Sequence, residues 1–391
     1  MVSTYSQLLT VLNEAGTDGY LIDANGEDSN QYYLSGFDAM RSFVTLYTGE
    51  EIRLLVPDLA YPRASADSNG DVVRRRSEFD YGNKHTEYGP TKAGPLTTAE
   101  FLAEYGVESV SVPASFPNGT ADILRDHDIE VVTDYELTID DVRAVKTDEE
   151  IEHVTETQRA TERAMAVAEG MLERATAQDD TLSLEGEVLT SERVRRAIEV
   201  TLLEEGCEVN VCIVASAAEG ARGHDAGTGA IEASEPIIID IAPHSKESRY
   251  FADMTRTFVK GEPNPKIREW YDLTREAYDV ALETIEAGVT GEAVHNVVCD
   301  VFEREGYPTL RTDESTEDGF TSATGHGVGL SVHEQPKLIW GSGELQAGHV
   351  VTVEPGLYEQ GVGGVRLEDL VVVTETGYEN LTDYSRELGE V

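Results

Sequence analysis

Short apolar runs and polar gaps alternate along the first 140 residues. Residues 20–22, 42–46 and 52–56 read as strands, rich in Ile, Leu, Val and aromatic residues. Gly49 and Glu50 between the last two predict a hairpin turn. Residues 63–95 are polar, with several Gly, Asn and Asp, which predicts a long loop. Arg74, Arg75 and Arg76 within it read as a solvated basic cluster. Residues 98–105 carry a helical pattern, 107–112 a strand, 120–126 a helix and 129–132 a strand. This describes a small α/β domain, followed by a junction at 135–147.

Beyond the junction the period lengthens. Thr147 and Glu150 form a capping box, each side chain covering a free backbone N–H of the other. Behind it Ile151, Val154, Met165, Ala168 and Leu172 recur at helical spacing, with Thr161 a half-apolar gap on the same face. Helices are also predicted after Thr190, from Pro265 and from Thr290, stopping at Gly206, Gly288 and Gly306. Residues 209–215, 236–242, 250–258, 350–354 and 364–374 read as strands. Helix pairs set among antiparallel-looking strands give an α+β second domain. The expected division is 1–138 and 139–391.

Charge narrows the function. Asp and Glu number 75 against 30 Lys and Arg, a net charge of −45. Such a chain repels a phosphate backbone, so a nucleic-acid partner is excluded. Lysines number only seven. An acidic, lysine-poor composition resembles that of halophilic proteins, which work in molar salt. There the Debye length falls to about 3 Å and self-repulsion is screened. Cys207, Cys212 and Cys299 are an odd set with no disulfide framework, which predicts reduced thiols in a cytoplasmic setting. No signal peptide is expected, because the first sixteen residues lack a basic stretch and a long apolar run, and no membrane span, because no run approaches eighteen apolar residues.

The informative residues are polar groups where burial should forbid them. Asp240 interrupts the apolar run 236–241, Glu354 closes the run 350–353, and Glu368 with Asp369 interrupts 365–373. A buried carboxylate costs several kcal/mol unless protonated, paired or bound to metal. For any one of them a strand end in solvent or a salt bridge is the ordinary explanation. Three such runs in one domain favour a metal centre. Asp253 lies thirteen residues after Asp240, and a hairpin could join the two. His326 and His333 stand seven apart in a glycine-rich stretch that permits close backbone approach. One His among four carboxylates is an oxygen-rich set suited to Mn, Co or Fe(II) rather than to a structural zinc site. So many carboxylates fit two ions with shared ligands better than one.

These motifs resemble the creatinase/methionine-aminopeptidase or "pita-bread" superfamily, most closely its Xaa-Pro dipeptidases (prolidases) and Xaa-Pro aminopeptidases. Residues 30–37 resemble the creatinase-type N-terminal motif, and 147–172 the entry into the catalytic domain. Asp240, Asp253, His326, Glu354 and Glu368 match the family's ligand set in type, order and approximate spacing. The resemblance implies a creatinase-type N-terminal domain, a pita-bread catalytic domain and two divalent metal ions (manganese first; cobalt, iron or zinc otherwise). It also implies a homodimer acting on proline-containing di- or short peptides. Asp240 would chelate one ion, Asp253 and Glu368 bridge both, and His326 and Glu354 complete the other. A water between the ions would attack, with Glu354 accepting its proton. His333 would contact substrate and stabilise the tetrahedral intermediate, and His224 would line the substrate pocket. Arg366 would hold a bridging carboxylate or contact substrate, since it lies two residues before Glu368 and shares a strand face with it. Lys337 stands four residues after His333, where prolidases often carry an arginine associated with the substrate carboxylate.

The chain departs from the pattern in places. Ser322 occupies a position where some aminopeptidase members carry histidine. Residues 245–249 make a longer hairpin tip, and 312–321 form an acidic loop before the site. These leave dipeptide and longer-peptide substrates both open. A creatinase- or lyase-like member acting on a small non-peptide substrate, and a binding module without activity, are the other readings.

Overall fold

The computed structural model describes residues 6–136 and 138–391, which form two compact units, Met1–Arg143 and Ala144–Val391. The first unit is built on a six-stranded mixed sheet. Its spatial order is Val72–Arg75, Ile52–Val56, Phe43–Tyr47, Gly19–Ala24, Ser109–Pro113 and Glu130–Asp134. Gly49, with φ of 87°, turns the predicted hairpin between Phe43–Tyr47 and Ile52–Val56. Alternation along the Gly19 strand sends Tyr20 and Ile22 into one core with Leu34 and Phe43. Leu21 goes to the opposite core with Val44, Leu46 and Phe101.

Residues 63–95 are not a loop. They hold the end of helix Tyr61–Asp67, the edge strand Val72–Arg75, helix Tyr81–Tyr88 and the start of helix Pro90–Glu104. Pro62 and Pro90 sit in the first turns of their helices, where a missing N–H costs nothing. The arginine cluster is paired as well as partly exposed, Arg75 most of all. Arg74 meets Glu78 and Glu104, Arg75 meets Glu78, and Arg76 Nη2 donates to the Ser42 carbonyl at 2.7 Å.

In the second unit, the strands Cys207–Ser216, Pro236–Ser245, Met254–Val259 and Gly389–Glu390 form one sheet in that order. A second sheet has the order Glu334–Leu338, Gly325–Gly327, Val350–Val353, Asp369–Thr374, Gly377–Asn380. The helix Asp148–Arg174 starts at the predicted capping box, with Thr147 N donating to Glu150 Oε2 at 2.7 Å. Thr190 and Thr290 cap the helices Ser191–Glu204 and Gly291–Arg304, their hydroxyls accepting from the Arg193 and Ala293 amides at 3.2 and 3.1 Å. The first two helices cover the first sheet through Ala164, Met165, Leu172, Val194 and Ile198. Helices Pro265–Thr284 and Gly291–Arg304 cover the second through Trp270, Ala277, Val294 and Phe302.

Two predicted strands are shorter or divided. The 250–258 run pairs regularly only from Met254, and all six residues of Met254–Val259 are buried, so it is not half-exposed. The 364–374 run breaks at Leu367 and Glu368 into Gly363–Arg366, which pairs with Gly356–Glu359, and Asp369–Thr374. The three cysteines are free; burial pushes the Cys212 thiol up to about 12 and Cys299 up to about 11. Among the described residues no helix is long and apolar enough to cross a membrane.

Candidate active site

The Pro236–Ser245 strand has two faces. Ile237, Ile239 and Ile241 enter the core against the long helices, each burial contributing roughly 1.5–3 kcal/mol. The alternate residues Ile238, Asp240 and Ala242 face the other way and line a cavity of about 250 Å³. Asp240 pairs with Ile213 on one side and Thr255 on the other. Asp253 stands just before the Met254–Val259 strand and lines the same cavity, so both aspartates lie in one wall.

The second sheet supplies the opposite wall. His326 sits between Gly325 and Gly327 because both flanks are crossed closely by backbone. An added Cβ would lie 1.9 Å from the Thr352 carbonyl oxygen at Gly325, and 2.0 Å from that of Gln335 at Gly327. Thr352 Oγ1 accepts from the His326 amide at 3.0 Å and reaches Glu354 Oε1 at 3.3 Å, tying the two residues together. Glu354 stands one residue past the Val350–Val353 strand. His326 Nε2 lies 3.3 Å from Glu354 Oε1 and 3.7 Å from Asp253 Oδ2.

Glu368 occupies the break between two strands, where the sheets meet. Its amide donates to the Thr255 carbonyl at 3.2 Å, and Thr255 Oγ1 donates to its Oε2 at 2.7 Å. Arg366 also lines the cavity, but its strand ends before Glu368 and its hydrogen bonds go elsewhere. It donates to Asp240, to Thr255 Oγ1 at 3.0 Å and to the Tyr358 hydroxyl at 3.0 Å. Tyr358 is a wall residue that the sequence pattern did not single out. Its signal is Gly364 directly opposite, where an added Cβ would lie 2.4 Å from the Tyr358 ring.

The electrostatics of this wall are severe. Burial, followed by the charges of Glu368, Asp240 and Glu354, holds the Asp253 carboxyl well above its ordinary range. Burial, followed by Glu354 and Asp240, does the same to Glu368. Burial also raises Glu354, with Arg366 opposing. His326 is pushed down to about 4 by burial. A cation placed among such groups removes the repulsion and favours their ionised forms. The donor set fits one: ligand atoms of Asp253, His326 and Glu368 all lie within 4.8 Å of one another. Glu354 flanks that cluster, and Asp240 bonds Arg366 through Oδ2, leaving Oδ1 free of that contact.

His333 and His224 line the same cavity without joining the cluster. The His333 ring stands 4.3 Å from that of His326, edge to face, and burial pushes it down to about 4. His224 sits on an exposed loop with φ of 59°. Ser322 lines the cavity too, its buried Oγ lacking a hydrogen-bond partner among the described residues. Lys337 is close enough for its charge to act on His326 and His333. It pairs across from His326 and is half-buried, but it does not line the cavity.

Comparison with known proteins converges on this unit. The profile of Metallopeptidase family M24 matches residues 152–375, and that of the Creatinase/Prolidase N-terminal domain matches 5–145. The chain is 28% identical over 387 residues to a Xaa-Pro dipeptidase of Pyrococcus horikoshii, covering 98% of this chain and 97% of that protein. It is 29% identical to the Xaa-Pro dipeptidase of Pyrococcus furiosus, covering 99% of this chain and 100% of that one. The crystal structure of the prolidase from Pyrococcus horikoshii superposes with a TM-score of 0.80 at 27% identity, covering 98% of this chain and 99% of that one. Because the M24 match takes in more than half of the chain and every cavity residue described above, the chain belongs to metallopeptidase family M24.

Proposed function

We propose that this metallopeptidase is a prolidase, hydrolysing the Xaa-Pro bond of dipeptides with two divalent ions held by Asp240, Asp253, His326, Glu354 and Glu368. The observation that carries this reading is the cavity itself, where all five residues and both flanking histidines line one wall system. Its oxygen-rich donor set favours manganese. Ions held there would polarise the scissile carbonyl and acidify the attacking water.

The chain's own groups do the rest. Glu354 accepts the proton of that water; its Oε1 lies 3.3 Å from His326 Nε2. His333, neutral near pH 7, offers one N–H to the oxygen of the tetrahedral intermediate. Arg366 holds Asp240 in place and is itself oriented by Thr255 and Tyr358. Metal analysis of the purified protein, followed by hydrolysis of Gly-Pro and Ala-Pro with manganese, tests the reading. Two ions per chain and cleavage of both dipeptides are expected; metal-free protein that cleaves neither peptide after manganese loading would refute it.

A further inference from the structure

We propose that the buried ion pair between Lys146 and Glu334 is the positioning element of His333, fixing the backbone beside that histidine and so holding its imidazole at the cavity. The inference rests on the Xaa-Pro reading, in which His333 stabilises the tetrahedral intermediate. His333 lines the cavity, and its ring stands edge to face against that of His326 at 4.3 Å. Among the described residues no hydrogen bond of the His333 side chain sets the direction of that ring. Its placement therefore has to come from the backbone that carries it.

That backbone is a short loop pinned at both ends. At one end Val328 N donates to the Val350 carbonyl at 3.0 Å, and Phe251 N donates to the Gly329 carbonyl at 2.7 Å. At the other, Glu334 opens the strand Glu334–Leu338 and pairs with Gly327. The Glu334 side chain then folds back across the loop, where a Cβ added at Gly329 would lie 1.9 Å from its Oε1. Lys146 Nζ donates to that oxygen at 2.5 Å, and the two side chains are only 1% and 3% exposed. Lys146 is itself held, its amide donating to the Gly348 carbonyl at 2.9 Å while Val145 bridges to His349. The pair thus ties the residue next to His333 to a segment 188 positions away. As a source of stability a buried ion pair is a poor device, since packed apolar residues often do as well. Its distinctive property is geometric. Neither charge can move off without stranding the other in the interior, so Glu334 has one place to sit. His333 is bonded to it and shifts when it shifts.

The test compares kcat, KM and bound metal, with Ala-Pro as substrate, in manganese-loaded wild type, Glu334→Gln, the paired variant Lys146→Met/Glu334→Gln, His333→Ala, and His333→Ala combined with the paired change. Thermal melts check folding. Glu334→Gln keeps the shape of the side chain; the paired variant removes both charges together and strands neither, which covers the case in which the single variant does not fold. Both should keep wild-type metal and KM and lose kcat by roughly ten- to a hundredfold, the scale of a misplacement by about 1 Å. In the His333→Ala background the paired change should cost no further turnover, because the ring it positions is gone. An equal loss in both backgrounds, a loss that follows the metal content, or wild-type kcat in a folded paired variant overturns the assignment. The histidine ring signals in the NMR spectrum of zinc-loaded protein read the same contact without turnover. The His333 signal should shift or broaden in the paired variant, and an unchanged signal overturns the inference. If wild type cleaves no Xaa-Pro dipeptide, the substrate reading falls, while these spectra still decide whether the pair holds His333.

Discussion

Thr255 and Glu368 lie 113 positions apart, yet the threonine hydroxyl donates to the glutamate Oε2 at 2.7 Å and links the two sheets at the cavity floor. The same hydroxyl accepts from Arg366 Nε at 3.0 Å. Thr255→Val keeps the shape and removes both bonds. Stability should fall by about 1.5–3 kcal/mol, because the lost partners are charged groups that stay buried. Urea melts of the metal-loaded protein check this, and an unchanged midpoint would mean that Glu368 is held by other means.

Asp240 and Glu354 are assigned to the ions, so Asp240→Asn and Glu354→Ala should each lower the bound metal and abolish hydrolysis. Elemental analysis after reconstitution reads the first effect directly. Wild-type stoichiometry with full activity would remove these residues from the ligand set.

His333 touches the His326 ring but lies outside the clustered ligand atoms. His333→Ala should therefore retain both ions and lose turnover, by a hundredfold or more, or roughly 2.7–4 kcal/mol of transition-state stabilisation. Metal loss in this variant would make His333 a ligand.

A net charge of −45 makes stability depend on screening. At ~0.1 M salt the Debye length is about 10 Å and carboxylates repel across the surface; by ~1 M it is about 3 Å. The melting midpoint should climb steeply between ~0.1 and ~3 M KCl, levelling where screening is complete. A flat profile would show that the surface acids are offset locally, by pairs such as Arg311 with Asp300 and Glu303.

Much of the second unit was legible because burial conflicts with charge at a few positions. Asp240, Glu354 and Glu368 stood out as carboxylates in apolar runs, and they do meet in one cavity. The helix starts at Thr147, Thr190 and Thr290 were readable from their caps. The 63–95 region was not readable, since its helices carry little apolar periodicity and its prolines act as starts rather than breaks. Tyr358 was hidden because an aromatic on a short ribbon looks like core; only its glycine partner marks it. Glu368 stood out as a carboxylate but not as a break between strands, because Leu367 and Leu370 are buried on either side and the residues read as one continuous strand.

The two-faced strand that carries Asp240 makes catalysis a proof-reader of folding. Sliding it by one residue against its neighbours would thrust Asp240 among Leu172, Val194 and Ile198 and turn Ile239 and Ile241 out into the cavity. A misregistered chain would thus forfeit its core and the Asp240 carboxylate of its cavity together. Register is therefore fixed twice at this strand, by the isoleucines of the core and by the carboxylate on the opposite face.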